Sequence, residues 1–255
     1  MKPLGELDPA PVRFVAVDID DTLTTAGKLG AEAYAALEAL HRAGKKVVPV
    51  TGRPAGWCDH IARMWPVDAV VGENGAFYFW FADGRLGKRF LDDAATRARK
   101  RAELAAIARR ILEEVPGSAI ASDQAYRETD LAIDYCEDVP ALPLASAERI
   151  ASLMREAGLT AKVSSIHVNG WFGRYDKLTT LRQLFAERFG LDLAVVNRQV
   201  VYAGDSPNDA PMFEFFDNSV GVANVRRFAG LRPRYMTEAE AGAGFAEIAA
   251  HLLGN

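Results

Sequence analysis

The sequence predicts an α/β fold: a Rossmann-like parallel-sheet core interrupted by an inserted α+β module. Three observations carry this. Short apolar runs alternate with helical spacings in the order β-α-β-α-β over the first third of the chain. Longer extended segments and hairpin turns then replace that pattern. The first pattern resumes near Asp176. The expected division is a core of residues 1–82 and 174–255 with an insert at 83–173.

Residues Met1 to Pro11 are polar and Pro-containing and read as a loosely held lead-in. Phe14-Val15-Ala16-Val17 is a near-continuous apolar run, the pattern of a strand buried on both faces. Apolar positions Tyr34, Leu37 and Leu40 mark a helix that ends at Gly44. Lys46 to Val50 reads as a second strand, closed by Thr51-Gly52-Arg53-Pro54. Pro54 suits the first turn of a helix running to about Met64. Ala69-Val70-Val71 is a third strand and leads into Gly72-Glu73-Asn74-Gly75.

The aromatic run from Ala76 to Phe81 turns at Ala82-Asp83-Gly84-Arg85 and returns through Phe90. A helix is expected over about Ala94 to Glu114, stopped by Pro116-Gly117. Ala119 to Ser122, Thr129 to Tyr135 and Thr160 to Phe172 read as strands, with a helix over about Ser146 to Ala157. Lys177 to Phe189 is a helix, Gln199 to Ala203 and Asn218 to Ala223 are buried strands, and a last helix covers about Glu238 to Leu253.

The 255 residues, 49% hydrophobic and 25% charged, can bury a full core. A net charge of −4 with interspersed signs argues against a nucleic-acid or membrane-surface partner. No apolar run reaches the roughly 20 residues of a membrane span, and the N-terminus lacks a signal peptide's apolar centre. Two distant cysteines, Cys58 and Cys136, fit a reducing cytoplasm better than a disulfide framework or zinc site.

The chemistry concentrates where strands end. Asp18, Asp20 and Asp21 fall within four positions after the first strand. Ligands of open α/β sheets bind at such carboxyl ends, and bunched carboxylates there are tolerated when a cation sits among them. Three more signals follow in order: Thr51-Gly52-Arg53, Lys177, and Gly204-Asp205-Ser206-Pro207-Asn208-Asp209. Arranged around an inserted module, the four resemble the motifs of the haloacid dehalogenase superfamily. More narrowly they resemble its Cof-type, sugar-phosphatase-like branch with an inserted C2-type cap, and Glu73-Asn74-Gly75-Ala76 resembles that branch's Asn-Gly segment.

The resemblance implies a Mg²⁺-dependent phosphomonoester hydrolase working through an aspartyl-phosphate. Asp18 would be the nucleophile and Asp20 the acid/base. The Asp18 carboxylate, the Asp20 main-chain carbonyl and Asp205 would hold the metal. Asp209 would be an outer orienter or a further ligand. Thr51, Gly52 and Asn208 would meet the phosphate, Lys177 would supply positive charge, and Asn74 would face the substrate. Arg53 is either a substrate contact or a structural ion pair. The chain departs from the family pattern at Asp21 and Leu178, where glycine is common, and neither change removes a catalytic group. The implied partner is a small phosphorylated metabolite such as a sugar phosphate, bound by a monomer or homodimer. A sugar phosphomutase of similar architecture and a binding protein without turnover are the rivals.

The insert should choose the substrate. Alternation along TAKVSSIHVNGWF, Thr160 to Phe172, puts Ile166 and Val168 on one face. Ser165, His167 and Asn169 fall on the other, free to look down on the phosphate site, with Trp171 as a stacking surface. His167 has no second ligand at metal-binding spacing.

Overall fold

A computed structural model describes residues 1–164 and 166–254. Six parallel strands form the main sheet, in the spatial order Lys2–Pro3, Tyr235–Met236, Asn218–Gly221, Val200–Gly204, Phe14–Val17 and Lys46–Pro49. Phe14–Val17 lies inside the sheet, between Val200–Gly204 and Lys46–Pro49, and all four of its residues are buried. Val15 and Val17 pack on one side of the sheet with Leu37, Leu40, Phe245 and Ile248. Phe14 and Ala16 pack on the other with Leu181, Phe185 and Tyr202. Two covered faces explain why the run is continuously apolar rather than alternating.

The lead-in is not loose. Lys2–Pro3 extends the sheet beside Tyr235–Met236, and Leu4, Leu7 and Val12 are buried in the core. Two buried leucines within the lead-in, with Val12 just after it, supply the burial that outweighs the Pro-containing composition.

A parallel bridge from Val50 to Val71 carries the sheet on into Val70–Gly72, Phe77–Ala82 and Arg85–Phe90, which pair antiparallel. Phe77, Phe79 and Phe90 pack together with ring centroids 4.4–5.4 Å apart, and Leu86 and Phe90 lie against the core. The expected division at 83 therefore falls inside a hairpin whose second strand stays with the core side.

Beyond it, a second sheet runs Thr160–Val163, His167–Trp171, Asp130–Asp134, Ala119–Ile120, all antiparallel. The helices Ala94–Glu114 and Leu144–Glu156 cover one face through Leu104, Ala108, Ile111, Ile150 and Met154. The other face holds polar side chains. Thr160 to Phe172 is a hairpin rather than one strand. Ser164 Oγ accepts from the His167 and Ile166 amides at 3.0 and 3.4 Å, and the chain reverses there. A serine hydroxyl that takes backbone donors in this way replaces ladder bonds with a turn. Val168 packs with the helices as expected, whereas Ile166 lies in the turn and lines the cleft. Ser165 lies outside the described residues. Among the described residues no helix is long and apolar enough to cross a membrane.

Candidate active site

The carboxyl ends of Phe14–Val17 and Val200–Gly204 bring Asp18 beside Asp205 and Asp209. One carboxylate oxygen from each lies within 4.8 Å of the others. The strand register fixes this, with Ala203 opposite Val17 and the Asp18 amide bonded to the Ala203 carbonyl at 2.9 Å. Lys177, at the start of the helix Lys177–Leu184, donates to Asp18 Oδ1 at 2.9 Å and to Asp209 Oδ1 at 2.8 Å. All four side chains are buried.

Asp209 is filled by protein donors. Its Oδ1 also accepts from the Tyr202 hydroxyl at 2.5 Å, and its Oδ2 accepts from the Asp205 and Ser206 amides at 3.1 and 3.2 Å. That makes it an orienting group that aims Lys177 and closes the 205–209 turn. Gly204 is needed for the approach, since a Cβ there would lie 2.5 Å from Asp209 Oδ2.

Asp205 is less well served. Thr22 Oγ1 donates to Oδ1 at 3.0 Å and Asn224 Nδ2 to Oδ2 at 3.2 Å. Burial first, then the Asp209 and Asp18 charges, push its pKa up to about 9. Burial likewise raises Asp18 to about 7 against the opposing pull of Lys177. Both acids therefore gain from a nearby positive charge.

Asp20 faces Arg53, which donates from Nε at 3.0 Å and from Nη2 at 2.7 Å. Arg53 also lies 3.8 Å from both Asp123 and Glu137 and stacks on Trp57 at 4.4 Å. It is an ion-paired residue that also lines the cleft. Thr51 is fully buried, its hydroxyl accepting from the Arg53 amide at 3.0 Å. Gly52, Asn74 and Asn208 line the cleft with Asp18 and Asp20. Asn74 has a left-handed backbone (φ 56°), and Gly75 (φ 107°) packs so closely that a Cβ would lie 2.2 Å from the Asp176 carbonyl. The Asn-Gly pair thus locks the turn against the start of the Lys177 helix.

The insert roofs this cleft with His167, Asn169, Ser164 and Ile166, leaving a water-accessible volume of about 40 Å³. His167 is buried, and burial, helped by the Arg127 charge, lowers its pKa to about 4, so the imidazole is neutral. Its Nε2 lies 2.8 Å from Glu137 Oε2 but off the hydrogen-bonding line. Asn169 donates to Asp130 Oδ2 at 3.1 Å.

The sequence reading missed the joint between insert and core. Arg127 donates to Asp123 at 2.9 and 3.0 Å, to Asp130 at 3.0 Å and to the Gly52 carbonyl at 3.1 Å. Glu73 accepts from the Ala55 and Glu128 amides at 2.9 Å and from the amide and hydroxyl of Thr129. The i+3 and i+4 spacings of Asp123, Arg127 and Asp130 were visible, but their reach to Gly52 was not.

A parallel sheet thus carries acids at its strand ends beside a lysine at a helix start, under a roof of an inserted antiparallel module. The haloacid dehalogenase-like hydrolase family matches residues 15–92. A phosphoglycolate phosphatase of Methanothrix thermoacetophila is 26% identical over 245 residues, covering 94% of this chain and 97% of that protein. Two crystal structures share the fold. A Thermoplasma acidophilum protein superimposes with a TM-score of 0.71 at 18% identity, covering 95% of this chain and 98% of its own. The sucrose-phosphatase of Synechocystis, solved with sucrose and phosphate, gives 0.62 at 18% identity, covering 94% and 97%. The chain thus has the fold of these proteins, and Asp18, the Thr51 segment and the Asn-Gly turn lie within the stretch that matches the haloacid dehalogenase-like hydrolases.

Proposed function

We propose that the protein is a Mg²⁺-dependent phosphomonoester hydrolase acting on a small phosphorylated metabolite through a phosphoryl group carried on Asp18. The observation that carries this is the buried excess of acid around Lys177, with Asp18 facing the cleft. Hard oxygen donors crowded beyond what one lysine can neutralise suit a divalent cation held by the Asp18 and Asp205 carboxylates and the Asp20 carbonyl. When bound, Mg²⁺ offsets the repulsion between an ionised nucleophile and the phosphate oxygens.

The chain's own groups account for the rest. A carboxylate oxygen of Asp18 attacks phosphorus while the ester P–O bond breaks, and Asp20 gives its proton to the leaving oxygen. A water then attacks the acyl phosphate, Asp20 takes the water's proton, and phosphate leaves with Asp18 regenerated. Lys177 holds Asp18 in line, and Asn208 with the amides after Thr51 faces the phosphate oxygens. The tight roof over Asp18 favours small esters, in keeping with the phosphoglycolate phosphatase among its relatives and with the sugar phosphates expected from sequence. Two cysteines far apart in the sequence suit the cytoplasm.

A screen of phosphorylated metabolites for phosphate release with Mg²⁺, repeated in excess chelator, tests this. Release that needs Mg²⁺ is the expected result. Full release in chelator, or none from any ester, would reject it.

A further inference from the structure

The cleft-facing side of the insert's sheet can be read from its register. Lys162 pairs across the hairpin with Asn169, and Thr160 with Trp171, so these four share the face that carries His167. Asp130 and Asp134 stand on the same face one strand further on. Lys162 is the one cation these strands turn to the cleft, and among the described residues it has no hydrogen bond or ion pair. The other cations at the cleft are all paired: Arg53 to Asp20, Arg127 to Asp123 and Asp130, Lys177 to Asp18 and Asp209.

Lys162 borders a small cavity with Asn74, Trp171, Asp176, Lys177 and Asn208. Asn74 and Asn208 also line the main cleft, so the two spaces meet there. Two further donors in this lining are buried without an acceptor, Asn74 Nδ2 and Trp171 Nε1. Trp171 is only 1% exposed and stacks on Tyr175 with centroids 5.8 Å apart, so its face is already covered and only its N–H is unused. Asp176 is occupied in capping its helix through Thr179. Burial, with the Lys177 charge second among the causes that lower it, depresses the Lys162 pKa. Buried donors without acceptors are costly. Two such donors beside a half-buried ammonium, in one cavity next to the reaction centre, are explained by an acceptor that arrives with the ligand.

We propose that Lys162, with Asn74 Nδ2 and Trp171 Nε1, forms a second anion subsite that reads a carboxylate or similar oxyanion on the substrate, a short reach from the phosphate. The substrate class is then a small phosphomonoester bearing a second negative charge. This rests on the phosphatase reading and narrows it. Asp205, Asp18 and Asp20 make the floor strongly acidic, so a second anion gains little from the floor and is drawn to the unpaired ammonium.

The test compares 2-phosphoglycolate with 2-hydroxyethyl phosphate, which replaces the carboxylate by a neutral hydroxymethyl. Lys162→Met keeps the stem and removes the charge, and Lys162→Arg restores it. Calorimetric binding of each ester to the metal-depleted protein needs no turnover. Wild type should bind 2-phosphoglycolate at least about tenfold more tightly than the neutral ester, the scale of one charge-assisted contact. Lys162→Met should abolish that preference and Lys162→Arg should keep part of it. In the Mg²⁺ assay, Lys162→Met should raise KM for 2-phosphoglycolate about tenfold with kcat held, and leave the neutral ester unchanged. No preference in wild type, or equal losses for both esters in Lys162→Met, overturns the subsite. A preference in binding without any phosphate release would uphold the subsite and reject the hydrolase instead.

Discussion

Two buried acidic clusters lie within one cleft, and they are built on opposite terms. At the joint between insert and core, Glu73 receives four protein donors, and Asp123 and Asp130 share the guanidinium of Arg127. On the floor, among the described residues, Asp18 receives a single side-chain donor, Lys177, and the Asp205 side chain a hydroxyl and an amide. Proton affinity separates them only at Asp205, which is pushed to about 9, since burial raises Glu73 at the joint to about 7, level with Asp18. Burial alone does not mark a reaction site. Carboxylates whose lone pairs the protein fills hold parts together, and those it leaves short of positive charge await a ligand.

The comparison predicts that floor variants lose rate without losing stability. Asp18→Asn keeps shape but removes the nucleophile, and phosphate release should fall at least about two orders of magnitude. Its melting temperature should hold or rise, because a desolvated charge is gone. Rapid quench of the unsubstituted enzyme should trap phosphate on Asp18. Near-normal turnover in Asp18→Asn would reject the covalent route.

Joint variants should do the reverse. Arg127→Met leaves Asp123 and Asp130 buried without their cation, a loss of about 3–5 kcal/mol. For a chain of this size that is a fall of roughly 10 °C in melting temperature. At a temperature where the variant is folded, kcat should change less than about tenfold. A fall in kcat as deep as that of Asp18→Asn, with stability kept, would move Arg127 from the joint to the chemistry.

A pH series on metal-depleted protein probes the buried acids of both clusters, Glu73 included, and its Mg²⁺ dependence singles out the floor. Asp205 at about 9 and Asp18 at about 7 both lie above their unfolded values. The folded state therefore holds more protons than the unfolded one in this window. Stability should fall as pH rises from about 5 to 8, by several kcal/mol, on the order of 7 for these two groups. Mg²⁺ should flatten the slope by favouring the ionised acids, and Asp205→Asn should remove part of it. A metal-free melting temperature that is level or rising across this window would contradict the assigned burial of charge.

What the sequence could show of this divides along the same line. The catalytic motifs were legible because each is local: the strand ends Val17 to Asp18 and Gly204 to Asp205, and the helix start Asp176 to Lys177. The helix Ala94–Glu114 was legible from its stop at Pro116-Gly117. The joint was not, because Arg127 meets Gly52 and Glu73 meets Thr129 only through the tertiary fold. The hairpin at Ser164 had one sign in the sequence, the Ser164-Ser165 pair that shifts the apolar positions from 161 and 163 to 166 and 168, but a serine that caps the reversal looks like any strand serine. Strand Arg85–Phe90 was given to the insert because composition changes at Asp83, whereas its pairing to Phe77–Ala82 keeps it with the core.

The smallest expected effect belongs to the roof, which touches neither acidic cluster as its main task. His167 is neutral at ordinary pH and one of its nitrogens is left without a partner, so it suits a hydroxyl rather than a charge. Asn169 is already bonded through Nδ2 to Asp130, which leaves its carbonyl oxygen for the ligand. His167→Ala and Asn169→Ala should each raise KM for the true substrate by about three- to tenfold, the worth of one neutral hydrogen bond, with Mg²⁺ dependence intact. A small generic ester, which carries no polar group for the roof to bond, should be much less affected. The pKa of about 4 adds a sign that can be checked. His167 is held below its unfolded value near 6.5, so the stability it contributes is present above that pH and lost as pH falls towards 4. His167→Gln should therefore make the protein less sensitive to acid between pH 6 and 4. It should also leave KM independent of pH from 6 to 8, as in the unsubstituted enzyme. A KM that follows a titration near 6.5 in the unsubstituted enzyme, and loses it in His167→Gln, would show the imidazole charged in the cleft and make the roof part of the electrostatic site after all.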